Sequence, residues 1–194
     1  MTNTSQTFSL RSLNEVIKHN VPDFLRKFVI RGFFIYIAWH VFIFFINLEP
    51  FHVWLSNFMG EGAVYFLDFL GFDAYILPNE ANLKALLYVG NQMTVSVAGP
   101  CDGFTLYLAF AWLILAFPTP QWKSKIWFLP IGIVIISILN MMRVGGLSLV
   151  AMYLPEYVDI NHKYIFKILV YLAIFLMWAL WMKKFSISYY MNKK

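Results

Sequence analysis

Long apolar runs, separated by short polar and charged segments, dominate the hydropathy pattern of this chain. The four longest runs cover residues 32–48, 102–117, 126 to at least 143, and 164–182. A helix needs about 20 mainly apolar residues to cross a bilayer, and the first two runs are near the minimum length. We therefore predict an all-α integral membrane protein with about four transmembrane helices.

Two further segments complicate this count. Residues 51–77 are rich in aromatic side chains but contain Glu61, Asp68 and Asp73, a pattern that favours an amphipathic helix lying in the outer interface. A hairpin inserted into the membrane is the alternative, and it would raise the count to about six helices.

A straight helix over residues 126–154 would be roughly 43 Å long, against a hydrocarbon core of about 30 Å. We expect it to tilt, bend or end at Gly145-Gly146.

Alternating apolar and polar residues replace the long apolar runs between residues 85 and 97. β-branched side chains occur in this segment, and Gly90-Asn91 lies near its middle. The pattern predicts a short β-hairpin outside the membrane. Because this hairpin leads directly to Cys101, we hypothesise that it binds an extended substrate segment as an added strand.

Composition and charge support the membrane assignment. Hydrophobic residues make up 60% of the chain and charged residues only 13%, which excludes an ordinary soluble domain. The net charge of +5 does not indicate nucleic-acid binding, because the basic residues lie in short clusters beside apolar runs. We expect membrane lipid as a partner and no nucleic acid.

The distribution of basic residues predicts the orientation. With both termini inside, the cytoplasmic segments hold most of the lysines and arginines, as the positive-inside rule requires. These residues are Arg11, Lys18, Arg26, Lys27, Arg31, Lys123, Lys125, Lys183, Lys184, Lys193 and Lys194. We therefore predict a multi-pass protein of the cell's inner (cytoplasmic) membrane, with residues 99–103 on the extracytoplasmic side.

Cys101 is the only cysteine, and it stands directly before the second apolar run. The free amide groups and the dipole at a helix N-terminus stabilise a thiolate, so this position predicts a lowered thiol pKa and a nucleophile. A small apolar residue at a tight turn is the alternative reading. Asp102 either opposes thiolate formation by its charge or caps the helix.

Two other polar groups are predicted to reach the same level of the membrane. Arg143 lies about seventeen residues into the third run, roughly 26 Å from its cytoplasmic start, with Asn140 one turn earlier on the same face. His162 precedes the fourth run on the outer side and is suited to proton transfer. Snorkelling to headgroups is the alternative for Arg143, and a headgroup contact is the alternative for His162.

The remaining histidines do not predict a site. His40 lies in the middle of the first run, where we expect it to hydrogen-bond a neighbouring helix rather than face the thiol. The four histidines and the single cysteine lack the spacing of metal ligands. We expect neither a metal nor another cofactor.

Three motifs taken together resemble the exosortase/archaeosortase family of membrane transpeptidases. They are Cys101-Asp102-Gly103 opening one span, the run 140–144 (Asn-Met-Met-Arg-Val) at the outer end of the next, and His162 before the last. The resemblance covers roughly residues 89–181 and indicates a short-branch member. It implies that Cys101 is the nucleophile, His162 the acid and base, and Arg143 the stabiliser of the substrate carbonyl. From their positions we expect Asn140, which would hold the guanidinium or line the same cavity, and Asp102 to support these groups. Many members carry serine after the cysteine, where this chain has Asp102.

The resemblance also implies the activity and the partners. The chain would be a cysteine protease and transpeptidase acting on exported proteins whose C-terminal sorting signal combines a short motif, a hydrophobic helix and a basic end. Residues 32–182 would form the transmembrane catalytic domain, between a cytoplasmic N-terminal segment (1–31) and a basic cytoplasmic tail (183–194). The alternatives are a non-enzymatic assembly or transport factor and a different cysteine peptidase that matures a secreted peptide.

Overall fold

The computed structural model describes residues 23–79, 84–99, 101–119 and 121–187. The first 22 residues of the predicted N-terminal segment and residues 188–194 of the predicted tail lie outside the described residues. Five longer helices occur in the described part of the chain: α1 (Asp23–Phe45), α2 (Glu49–Phe69), α3 (Phe104–Ala116), α4 (Trp122–Tyr153) and α5 (Phe166–Met182). Three strands lie between α2 and α3: β1 (Ala74–Asn79), β2 (Lys84–Val89) and β3 (Gln92–Val97).

The prediction of a mainly helical integral membrane protein is confirmed. Among the described residues, three helical segments are long and apolar enough to cross a membrane: Asp23–Phe45, Trp122–Tyr153 and Pro155–Phe185. The third combines α5 with the short helical turns on either side of it. The predicted second span forms α3, which has 13 residues and is therefore about 20 Å long, shorter than the hydrocarbon core.

Helix α4 excludes one of the three expected outcomes, which is an end at Gly145-Gly146. It runs through Gly145-Gly146 as a continuous helix of 32 residues and does not end there. A Cβ atom at position 145 would lie 2.6 Å from Cδ1 of Phe66 on α2, which is closer than real Cβ contacts allow. The missing side chain at Gly145 therefore lets α2 and α4 approach each other instead of breaking the helix.

The predicted hairpin is present as β2 and β3, joined by Gly90 and Asn91. Gly90 has φ +58°, a conformation that side chains other than glycine rarely adopt. The sequence did not predict β1, which pairs antiparallel with β2 and gives the order β1-β2-β3. The sequence pattern places residues 74–77 in the interfacial helix, but α2 ends at Phe69 and Gly71 turns the chain with φ +86°.

One face of α2 packs against α4 and the sheet. Leu55, Met59, Ala63 and Leu67 recur every four residues and are almost completely buried, as expected for one face of a helix. They share a hydrophobic core with strand residues and with Cys101. This core fixes the position of the segment between β3 and α3, which carries the thiol.

Candidate active site

A tight turn holds Cys101 directly before α3. The amide groups of Cys101 and Asp102 both donate to the carbonyl oxygen of Ala98, at 2.6 and 2.9 Å. Gly103 follows in the left-handed region with φ +85°, and α3 begins at the next residue. The Cys101 side chain is buried, with a relative exposure of 5%. The thiol is therefore held at a helix N-terminus, as the sequence predicted, but away from bulk water.

His162 contacts the thiol from a segment 61 residues further along the chain. Its Nε2 atom lies 3.0 Å from Sγ of Cys101, within hydrogen-bond distance for a sulfur atom. His162 belongs to a π-helical turn (Asn161–Ile165) that precedes α5. Such turns are often found at functional sites because they redirect side chains from a regular helix. The pair can exchange a proton directly.

Arg143 approaches the same sulfur atom from α4. Its Nη2 donates toward Sγ of Cys101 at 3.9 Å, while Nη1 donates to Oδ1 of Asn140 at 3.2 Å. Asn140 is fully buried and donates from Nδ2 to the carbonyl oxygen of Cys101 at 2.8 Å. The guanidinium is thus oriented by a neighbour one turn away on the same helix. Thiol, imidazole and guanidinium, predicted from three separate segments, meet in one place.

Asp102 caps α3 and also binds a residue that the sequence analysis missed. Its Oδ1 accepts the amide hydrogen of Phe104, the first residue of α3, at 2.9 Å, which agrees with the capping alternative. Its charge also raises the pKa of Cys101, so the opposing effect on the thiolate is present as well. Its Oδ2 lies 2.5 Å from Nδ1 of His52 on α2. No local pattern marks His52, which lies within an aromatic segment predicted to occupy the interface. Only the packing of α2 against the turn brings this pair together.

The prediction of a lowered pKa for the Cys101 thiol is wrong. Burial raises the pKa of the thiol above its ordinary value, because a buried thiolate loses its hydration. Arg143 opposes this increase, Asp102 adds to it, and Lys167 lowers the pKa again by a smaller amount. The resting site therefore favours a neutral thiol, whose proton must be removed by a neighbouring base.

A cavity of about 690 Å³ opens beside these groups. Apolar residues of α1 and α3 form much of its wall, and His52, Arg143 and Lys167 supply polar groups. Gly99 and Gly103, on either side of the turn with the thiol, also line it. A substrate segment in this cavity would therefore reach the guanidinium and the backbone around Cys101.

His40 does not make the interhelical bond that we expected. Its Nδ1 lies 2.9 Å from the carbonyl oxygen of Tyr36, which belongs to the same helix. The ring is exposed and lies against the Tyr36 ring, with centroids 4.1 Å apart. Within the described ranges, no three His, Cys, Asp or Glu side chains are grouped as metal ligands would be.

Comparison with known protein families gives a match over most of the chain. A family model described as transmembrane exosortase matches residues 24–179. This range includes all the site residues described above. Searches of curated proteins and of solved structures gave no significant match.

Proposed function

Because the chain belongs to the transmembrane exosortase family, we propose that it is a cysteine protease and transpeptidase that cleaves C-terminal sorting signals of exported proteins. Family membership supports a membrane transpeptidase or protease role in general. The observation that carries the specific proposal is the contact between Sγ of Cys101 and Nε2 of His162, at 3.0 Å, beside the guanidinium of Arg143. A nucleophile, a base to accept its proton and a cation to stabilise the oxyanion are the groups that acyl transfer uses.

The first half-reaction uses these three groups. His162 accepts the thiol proton as Sγ attacks the carbonyl carbon of the scissile peptide bond. The raised pKa of Cys101 favours this coupled transfer over a thiolate formed in advance. Arg143 stabilises the negative charge on the carbonyl oxygen. His162 then donates the proton to the departing amine, which leaves the substrate joined to Cys101 as a thioester.

The cavity supports a specific placement of the substrate. Its walls come from α1, α3 and α5, and Trp39, Ile43 and Leu108 present apolar surface there. The hydrophobic helix of a sorting signal would lie beside these helices with its basic end in the cytoplasm. Its cleavage motif would then reach Cys101 at the extracytoplasmic side of the inner membrane, the side assigned by the positive-inside rule.

Co-expression with a signal-bearing exported protein tests the proposal. Mass spectrometry should show a shortened substrate with the wild-type enzyme and only the full-length form with Cys101→Ala or His162→Ala. His40→Ala is the matched control, because this imidazole contacts its own helix rather than the thiol. A substrate fragment linked to Cys101 and sensitive to hydroxylamine would identify the thioester.

The main alternative is a non-enzymatic assembly or transport factor. It predicts that Cys101→Ala retains function, since a small side chain at that turn would suffice. A cysteine peptidase that matures a secreted peptide would share the chemistry but not the substrate. Identification of the natural substrate separates that activity from sorting.

A further inference from the structure

The site contains a second imidazole that the first half-reaction does not use. His52 lies on α2, and its ring packs edge-on against Phe104 with centroids 4.9 Å apart. Its side chain is 27% exposed, and it lines the same cavity as Arg143. One side of the ring is therefore held by protein, while the side chain keeps access to the cavity.

Asp102 fixes the orientation of this ring. The carboxylate is completely buried, and its Oδ1 is occupied by the Phe104 amide. Oδ2 faces Nδ1 of His52, so the proton of a neutral imidazole is held on Nδ1. Nε2 then carries the free lone pair. A carboxylate in this position holds the ring in one tautomer and one orientation, as it does in carboxylate–histidine pairs of other enzymes.

We propose that His52 is the general base of the second half-reaction. This inference rests on the proposed function, because it requires a thioester at Cys101. An acceptor with an N–H or O–H group enters the cavity and attacks the thioester carbonyl, losing its proton to Nε2 of His52. The new bond to carbon forms as the carbon–sulfur bond breaks and the thiolate leaves. His52 releases its proton to solvent, and the thiolate is reprotonated through His162.

The two imidazoles therefore act in different half-reactions. His162 contacts the sulfur atom and serves thioester formation, whereas His52 faces the space that the acceptor enters. Loss of His52 should leave acylation intact and slow release of the acyl group. Loss of Asp102 should also slow release of the acyl group, because the His52 ring would no longer be held in this orientation.

Burst kinetics of the purified full chain with p-nitrophenyl acetate test this division. The chain has one cysteine, so Cys101→Ala supplies the background rate. The wild type should release one equivalent of nitrophenolate rapidly and then turn over steadily. His52→Ala should keep the burst within about twofold but slow the steady phase by on the order of 100-fold, and added imidazole should restore that phase. His40→Ala should behave as wild type.

Each other outcome counts against the proposal. A wild-type steady rate in His52→Ala, or a steady rate that imidazole does not restore, overturns the role of His52 as a base. A lost burst in His52→Ala places His52 in acylation or in folding and also overturns it. A wild type without a burst and with a steady rate no higher than that of Cys101→Ala contradicts Cys101 as the nucleophile, and the His52 proposal then fails together with the proposed function.

Discussion

Nδ2 of Asn140 donates a hydrogen bond of 2.8 Å to the carbonyl oxygen of Cys101, which links α4 to the turn that holds the thiol. The same side chain accepts from Arg143 through Oδ1. One buried amide therefore positions both the backbone of Cys101 and the guanidinium of Arg143.

Substitution of Asn140 should separate these two contacts. Asn140→Asp keeps an acceptor for Arg143 but cannot donate to the Cys101 carbonyl, whereas Asn140→Leu loses both contacts. We expect processing to fall by about tenfold in Asn140→Asp and further in Asn140→Leu, since an unpaired buried carbonyl costs roughly 1–3 kcal/mol. Substrate processing and thermal unfolding should be measured on the same preparations. Equal activity of Asn140→Leu and wild type would contradict this role.

Arg143→Lys should impair catalysis although it keeps the positive charge. Lysine lacks the planar fork that lets Arg143 donate to Asn140 and toward Cys101 at once. We expect kcat/KM to fall by on the order of 100-fold, the effect of removing one oxyanion-type donor. Lys167→Arg is the control, because it retains a cation at the cavity wall. Wild-type kinetics in Arg143→Lys would exclude the proposed stabilising role.

Alkylation of Cys101 should depend on pH in the direction set by its raised pKa. Iodoacetamide reacts with the thiolate, so the rate should reach half its maximum at a higher pH than for an ordinary cysteine. Arg143→Gln removes a group that lowers the pKa and should move the midpoint higher. Asp102→Asn removes a group that raises the pKa and should move it lower. Midpoint shifts in the opposite directions would show that these charges do not act on the thiol.

Lys125 should matter for stability at the other end of α3. It is buried, and its Nζ donates to the carbonyl oxygens of Leu115 and Phe117 at 3.0 and 2.8 Å. These bonds satisfy acceptors at the helix C-terminus that lack partners within the helix. Lys125→Met should lower the free energy of unfolding by about 2 kcal/mol or more. Exposed Lys123→Met is the matched control and should leave the melting temperature nearly unchanged.

Proline scanning should show whether β3 binds substrate. Within the described residues, β3 pairs with β2 on one side only, so its other edge can accept an added strand. Amide groups of β3 (Gln92–Val97) alternate between β2 and the free edge, with one interruption at Thr94, opposite a register shift between Leu87 and Tyr88 of β2. Prolines at free-edge positions should reduce processing without lowering the melting temperature, and prolines at the other positions should lower both. Unchanged processing throughout the scan would show that the substrate does not bind by adding a strand to β3.

The sequence predicted those parts of the fold and site that depend on local pattern. Apolar runs bounded by charges indicated the long helices, and β-branched alternation around Gly90-Asn91 indicated the hairpin. Polar residues at the predicted outer ends of three runs indicated that Cys101, Arg143 and His162 would lie at one level of the membrane. Helical rise and topology restrict where a residue lies along the membrane normal, whereas the lateral approach of the three side chains depends on helix packing.

Tertiary packing determined the remaining features of the fold and the site. No periodic pattern in the sequence specifies which distant segments pack together. Three contacts depend on such packing: the pairing of His52 with Asp102, the addition of β1 to the hairpin, and the contact of Lys125 with the end of α3. The direction of the Cys101 pKa belongs to the same group, because desolvation depends on which side chains cover the thiol. Hydropathy and charge act along the chain and can be read from it, whereas burial and side-chain pairing exist only once distant segments pack together.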